Sequence, residues 1–485
     1  MCLIIHNVIL CASVFFSNMA TFLEFLSVQM IFCGLDIGTT NTKAVLLNLD
    51  GRLLSSVSIP SETTETGVMW YKHFSECLDR FASEGHFAKE LIICSVTGQG
   101  GSFVLLNDSF EPVGRVYSWT ENAPDRIVNE LTNALGRNWY YHTTGWDLNG
   151  WMASCRLKEL VDDGRISRDV CFIASPPDFI YSQAAGKIVT DVTNAQIMGI
   201  CDFQKSCYSS EVLSKVGIKQ ELLPSIVSTL KILFDKVPTK WGKISFVTGS
   251  HDQYAAMQAA GLKKDKSVML ATGTAWVING RTRKPLFDEN NFLIHPGRDL
   301  YQDCFGCISA MGQMVGGGFE RLLNRFGVDK KQLAQMEAGF EKDAPPRSAV
   351  TVDIAAGAVD SESDAGMSIM RYMEWAGAYV AFMLDKLGFI KGLDRIVMTG
   401  GAASSRFWPQ VIADLCDMKV EAVDFPEFTA YGAALHAQAA AGLKPGTCKP
   451  KDINSRIYEP LQTEKYQQWY LEHQKPIFKQ ILSKR

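Results

Sequence analysis

Neither of the two commonest nucleotide fingerprints occurs in this chain: there is no GxxxxGK[ST] loop and no GxGxxG turn. Any phosphate group must therefore be met by other backbone devices. Charge of one sign is also scarce. A formal net charge of −4 over 485 residues leaves no basic footprint, which argues against nucleic acid as a partner. Low-complexity tracts and short-period repeats are missing, and a 47% hydrophobic, 21% charged composition is that of a globular protein rather than a fibrous or disordered one. Paired metal-type cysteines are lacking too. The 13 cysteines scatter through apolar runs, and the one CxxC, Cys304 and Cys307, has no second pair nearby, so it reads as reduced core thiols in a buried strand. Long hydrophobic runs are confined to residues 1–29, where CLIIHNVILCASVFF is short for a membrane span and has no basic residue before it. That segment reads as a mis-assigned start or a dispensable extension ahead of Met30, with a membrane anchor as the lesser alternative. No membrane association is expected, and a cytoplasmic location follows.

What is present is an α/β pattern long enough for two domains. IFCGLDIG, TTNTKAVLLNLDG and RLLSSVSIP read as strand, turn, strand, turn, strand, with Asp50-Gly51 as a two-residue hairpin signal. A helix-like stretch around Trp70–Phe87 precedes the buried strand LIICSVTG. Near KISFVTGSHDQ the pattern restarts, and SVMLATGTAWVING loosely repeats the opening strand–Gly-Thr–strand unit. The expected division is an N-terminal domain, 30–246, and a C-terminal domain, 247–485, related to each other and facing across a cleft. On that division Asp36 and Asp252 come from opposite lobes.

Three glycine turns, each at the end of an expected strand, are the candidate phosphate machinery. In Asp36-Ile37-Gly38-Thr39-Thr40 the carboxylate can hold hydrated Mg²⁺, while Gly38 turns tightly and the threonines offer N–H and hydroxyl donors. Ala271-Thr272-Gly273-Thr274 repeats the device. In Thr399-Gly400-Gly401-Ala402-Ala403-Ser404 the paired glycines allow close backbone approach where a helix begins. Each turn alone could be an ordinary tight connection; three in order over both halves are harder to dismiss.

Asp252, in Gly249-Ser250-His251-Asp252-Gln253, follows the strand KISFVT and precedes a helical segment. A carboxylate there can accept or orient the proton of an attacking hydroxyl, and can equally cap the helix. His251 reads as a packing or hydrogen-bonding histidine. Gln99-Gly100-Gly101 and the Trp119, Glu121 and Asn122 of YSWTENAP supply the amides, carboxylate and aromatic face that sugars need; Trp146, Asp147 and Asn149 are further candidates, and Asn194 reads as a loop cap.

Those segments, together with PDFIYSQAAGKIVTDVTNAQ, VTGSHDQYAAMQAAGL and the long frame VMTGGAASSRFWPQVIADLCDMKVEAVDFPEFTAYGAALHAQAAAG, resemble the FGGY carbohydrate kinases from about Ile31 to Gly442. The resemblance implies two ribonuclease-H-like domains of the actin–hexokinase superfamily around a central cleft. It implies ATP and Mg²⁺ as cofactors, a small sugar or polyol as substrate, and Asp252 as catalytic base. Asp36, with Asp252, would hold the metal; Thr39, Thr40, Gly273, Thr274, Gly316, Gly400, Gly401 and Ser404 would lie about the nucleotide. Gln99, Gly100, Trp119, Glu121, Asp252 and Gln253 would lie about the sugar. The oligomeric state is left open, a homodimer included. Departures fall on both sides. The family's QMHG or QRET tetrapeptide is Gln99-Gly100-Gly101-Ser102 here, and the arginine two residues beyond the acidic residue is Ala123. The third glycine of the nucleotide turn is Ala402, a frequent lysine nearby is Ser404, and the segment between Arg321 and Ser368 is abbreviated. A non-kinase actin-like ATPase and a degenerate, sugar-sensing homologue are the competing readings.

Overall fold

The computed structural model describes residues 30–483, apart from 62–65, 88–90, 302, 311–314, 341–349, 361–363, 389–391 and 444–452. The reading of residues 1–29 falls outside the described residues.

The chain opens with an antiparallel meander of β1 (Met30–Ile37), β2 (Asn41–Leu47) and β3 (Leu53–Pro60). The β2–β3 connection, residues 48–52, is longer than the two-residue hairpin that Asp50-Gly51 suggests. Asn48 makes the difference: its Oδ1 accepts from the amides of Asp50 and Arg52 at 3.0 and 2.9 Å, while Gly51 takes a positive φ of 76°. Helix α1 (Gly67–Ser83) buries Trp70, Phe74, Cys77, Leu78 and Phe81, a stripe at helical spacing, and β4 (Leu91–Gly98) then lies parallel to β1. After a lobe of shorter elements that includes α2 (Val192–Ile197), β5 (Ile232–Thr239) and β6 (Gly242–His251) complete the sheet, with β6 parallel to β4. Its order is β5-β6-β4-β1-β2-β3.

Helix α3 (Asp252–Ala259) leads to the second sheet, built from β7 (Ser267–Thr272), β8 (Trp276–Thr282), β9 (His295–Arg298) and β10 (Phe305–Ala310). Helices α4 (Val315–Phe326), α5 (Lys330–Phe340) and α6 (Ala365–Lys386) follow. The chain then runs through β11 (Arg395–Gly400), α7 (Phe407–Cys416), β12 (Lys419–Asp424), α8 (Phe428–Ala440) and β13 (Asn454–Tyr458). The sheet order is β9-β10-β8-β7-β11-β12-β13.

Both sheets contain one five-strand unit. In β3-β2-β1-β4-β6 and in β10-β8-β7-β11-β12 the first three strands of the unit form a meander, and the fourth and fifth run parallel to the first. The repeated opening motif is thus a real duplication, and the expected two-unit α/β architecture is the observed one.

One expectation is corrected. The 246/247 division falls inside β6, which is the fifth strand of the first sheet. Asp36 and Asp252 therefore end strands of the same sheet and do not come from opposite lobes. A parallel strand buried on both faces reads as a continuous apolar run, so KISFVT looked like a fresh start rather than the close of the first unit.

The helices that follow the two fifth strands, α3 and α8, pack on each other between the sheets. Glycines set the distance: a Cβ on Gly432 would lie 1.8 Å from the carbonyl oxygen of Ala255, and one on Gly34 of β1 would lie 2.0 Å from that of Ala430. Phe32, Val45, Leu47 and Ile93 of the first sheet bury against Ala430, Tyr431, Ala434 and Leu435 of α8, so the two units share a core at this seam.

Candidate active site

Parallel strands end together, and their ends supply the first half of the site. Ile37 of β1, Gly98 of β4 and His251 of β6 stand side by side in the pairing register. The polypeptide leaving each strand carries Gly38–Thr40, Gln99–Ser102 and Asp252 into the crevice beyond the carboxyl ends, where open α/β sheets bind ligands.

Hydrogen bonds tie these exits together. Thr39 Oγ1 donates to Gln99 Oε1 (3.2 Å) and accepts from the Trp119 indole N–H (3.1 Å). Ser102 Oγ also donates to Gln99 Oε1 (3.1 Å) and accepts the Trp119 amide (3.1 Å). Thr39, Gln99 and Trp119, chosen separately from sequence, thus form one cluster, with Ser102 as an organiser that the sequence did not single out. Thr39 is held toward Gln99 and Trp119, whereas Thr40, exposed like Thr39, sits at the tip of the turn with its carbonyl accepting from the Ser61 amide.

Gly100 has a specific reason to lack a side chain. A Cβ there would lie 2.3 Å from Cδ2 of His251. The imidazole of β6 occupies the space a side chain at position 100 would need. Glu121 stands apart from the cluster: Arg115 grips its carboxylate with two N–H groups and Arg156 lies 3.8 Å away. Arg115's hydrogen bonds hold that carboxyl below its usual range. Gln253 turns toward the second sheet, its Oε1 accepting from Asn279 Nδ2 of β8 at 2.9 Å. Trp146 stacks on His295 of β9 with ring centroids 4.4 Å apart, and Arg137 pairs with Asp147. Asn194 is not itself the cap: Asp191 caps α2, and Asn194 Nδ2 donates to it from within the helix.

The two carboxylates sense each other. Withdrawal from solvent and the negative charge of Asp252 push the Asp36 carboxyl up to about 7, against a smaller opposing pull from Lys43. The enclosed Oδ1 atoms of Asp36 and Asp252 have no hydrogen-bond partner, although His251 Nε2 lies 3.0 Å from the latter. Two repelling carboxylates with unpartnered oxygens fit a hard divalent cation that completes its shell with water and phosphate oxygens. Among the described residues no group of three His, Cys, Asp or Glu could hold a metal by protein ligands alone. Burial pushes the Cys304 and Cys307 thiols up to about 12, as the core-thiol reading requires.

The second half of the site lies at the matching strand ends of the other sheet. A cavity of about 410 Å³ is lined by Gly273, Thr274, Gly316, Gly401 and Ser404, joined by Phe319, Lys330 and Glu337 of α4 and α5. Close packing builds it. A Cβ on Gly316 would fall 2.1 Å from the Gly273 carbonyl oxygen, and the Gly317 amide donates to that of Thr274. Gly400 holds φ at 94°, where a side chain is strained and would also strike Thr272. Thr272 knots two turns, donating to the Thr399 carbonyl (2.6 Å) and accepting from the Ala402 amide (3.1 Å). A short 3-10 turn, Gly401–Ser404, intervenes before α7, so the glycines do not feed that helix directly. Arg456 of β13 reaches the carbonyls of Ala403, Ser404 and Ser405 at 2.9, 2.7 and 3.2 Å, and Glu337 accepts from Ser405 Oγ and the Arg406 amide. Nothing in the sequence pattern marked Arg456 or Glu337. A larger cavity, about 640 Å³, lies near Gly261, Arg281, Arg395 and Tyr431, and none of the three glycine turns lines it.

Among the described residues no helix is long and apolar enough to cross a membrane. Residues 31–258 match the N-terminal domain of the FGGY family of carbohydrate kinases and residues 364–441 match its C-terminal domain. A glycerol kinase of Saccharopolyspora erythraea is 22% identical over 90% of this chain and 96% of its own length. A xylulose kinase of Streptomyces coelicolor is 24% identical over 85% and 88%. A xylulose kinase of Lactococcus lactis is 24% identical over 51% of this chain, and there the match spans about half of the relative's length, 52%. Among solved structures, a xylulose kinase from Rhodospirillum rubrum superposes with a TM-score of 0.79 at 18% identity, covering 93% of this chain and 99% of that one. A Plasmodium falciparum glycerol kinase with ADP gives 0.79 at 14% identity over 94% and 98%. At these identities the superpositions speak to fold.

Proposed function

The chain belongs to the FGGY family of carbohydrate kinases, phosphotransferases with an alcohol acceptor, and from that premise we propose that it transfers the γ-phosphoryl group of MgATP to a hydroxyl of a small sugar or polyol, with a ketose as the favoured class and Asp252 as the base. The observation that carries the reading is the convergence of Asp36, the Thr39–Gln99–Trp119 cluster and Asp252 at three neighbouring strand ends of one sheet.

Asp252, at the exit of β6, would accept or orient the proton of the attacking hydroxyl. Trp119 and Gln99 would present an aromatic face and an amide to the sugar. Gly273, Thr274, Gly316, Gly400 and Gly401 leave backbone close to the nucleotide, with Ser404 and Thr40 offering hydroxyls at the edge. Asp36 and Asp252 would hold the magnesium ion, which neutralises charge on the transferring phosphate oxygens. Domain closure would exclude water, which otherwise competes as nucleophile. We place the protein in the cytoplasm, where ATP and free sugars meet.

The test is a panel of ketoses, aldoses and polyols assayed for ADP release. One compound should stimulate turnover strongly, and Asp252→Asn should lower that turnover at least about a hundredfold with little change in thermal stability. ATP turnover indifferent to every compound would instead favour an actin-like ATPase.

A further inference from the structure

The chain's path from β6 into α3 is held by two buried threonine side chains. The peptide unit joining Ser250 to His251 is gripped at both ends. Its carbonyl, on Ser250, accepts from Thr97 Oγ1 of β4 at 2.5 Å; its N–H, on His251, donates to Thr193 Oγ1 of α2 at 2.8 Å. Both threonines are buried, at 0% and 1% exposure. Thr193 cannot swing away or reverse its role. Its own hydroxyl proton is committed to Asp191 Oδ1 (2.5 Å), leaving only lone pairs for the His251 amide. Asp191 is fixed in turn by the amides of Thr193 and Asn194 and by Asn194 Nδ2, at 2.7, 3.2 and 2.5 Å.

The clamp sits where the sheet itself holds the strand least. The β6–β4 register slips between Val247 and Ser250, and His251 is the last paired residue before the chain turns into α3. Asp252 is the first residue of that helix, one residue beyond the clamped peptide, so rotation of the Ser250–His251 plane is passed to its carboxylate through the His251 backbone. Backbone hydrogen bonds beyond the slip are too few to prevent this; the two threonine hydroxyls supply the restraint.

We infer that Thr193, oriented by Asp191, and Thr97 are positioning residues that fix the direction of the Asp252 carboxylate through the Ser250–His251 peptide. This deepens the proposed function and rests on Asp252 being the base. Neither threonine is among the proposed substrate-binding residues; both act through where Asp252 points.

Thr193→Val keeps shape and removes the hydroxyl, Thr193→Ser restores it, and Thr97→Val releases the opposite end of the same peptide. With the stimulating sugar from the panel, Thr193→Val and Thr97→Val should each lower kcat by roughly ten- to a hundredfold, since misplacement of a catalytic group by about 1 Å costs on that order. The KM for ATP should stay within about twofold, and Thr193→Ser should return kcat to within about threefold of the wild-type value. In an Asp252→Asn background, Thr193→Val should cause no further loss, because residues acting through one group are not additive. Wild-type kcat in both valine variants overturns the inference, as does a multiplicative loss in the double mutant, which would mean that Thr193 acts elsewhere. The premise fails separately, and only if Asp252→Asn alone retains near-normal turnover. Should Thr193→Val not fold, Thr97→Val and Thr193→Ser carry the comparison.

Discussion

Replacing Gly432 by alanine should slow the enzyme from the side of the molecule away from any substrate contact. The new Cβ would lie 1.8 Å from the Ala255 oxygen and 2.5 Å from its carbonyl carbon, both backbone atoms of α3 that cannot rotate aside. Contacts under 3.0 Å are essentially never seen for a real Cβ, so α3 and α8 must part by about 1.2 Å, the shortfall between 3.0 and 1.8 Å. Overpacking of this kind costs about 1–3 kcal/mol, which for a protein of two such units lowers Tm by several degrees. The kinetic effect should be larger than that stability loss alone implies. Asp252, the proposed base, opens α3, and a shift of about 1 Å at a reacting group costs on the order of a hundredfold in rate. Thermal unfolding and sugar-dependent ADP release, measured side by side, decide the matter. Gly339→Ala in α5 is the control: nothing lies within 4 Å of its Cβ, so it should leave kcat alone and stabilise by about 0.5–1 kcal/mol. A Gly432→Ala protein with lowered Tm and wild-type kcat would refute the link between the helix seam and the base; an unchanged Tm would refute the close packing itself.

Gly316→Ala should act on the other substrate: with its Cβ 2.1 Å from the Gly273 oxygen, α4 must lift off the glycine turn, raising the KM for ATP about tenfold or more while the KM for sugar holds, as two-substrate initial rates would report. Glu374, enclosed in α6 near the Tyr466 hydroxyl, has its carboxyl pushed by burial up to about 8 from 4.5. The folded protein therefore holds a proton that the unfolded chain releases, so stability is full below about pH 4.5 and falls as pH rises toward 8. Glu374→Gln should remove that slope, adding stability on the order of a few kcal/mol at pH 8 and so raising Tm there far more than at pH 5; equal Tm gains at both pH values would contradict the assignment.

Much of the site could be read before any coordinates because glycine turns at strand ends leave local signatures. Gly273, Thr274, Gly316, Gly401 and Ser404 come from three separate segments and meet at one cavity. The Thr39–Gln99–Trp119 cluster was named residue by residue but not as a cluster, since hydrogen bonds across 60 and 80 positions have no periodicity to announce them. Glu121 shows the opposite failure: its chemistry suited a sugar, yet Arg115 and Arg156 consume its charge, and neither arginine carries a motif. The sequence pattern does not separate the lobe that bears Asp252, because a fifth parallel strand and a first strand share the same apolar signature. Glu337 and Arg456 were invisible for a simpler reason. They grip backbone, and backbone partners leave no trace in the residue types around them.

The hold of Arg456 on the carbonyls of residues 403–405 also orders events during synthesis. Every strand of the first sheet has been made by residue 251, and the last glycine turn by residue 404, yet that turn gains its brace only once residue 456 has left the ribosome. A chain that stops short of residue 456 thus holds every strand of the first sheet but leaves the carbonyls of residues 403–405 without their arginine partner.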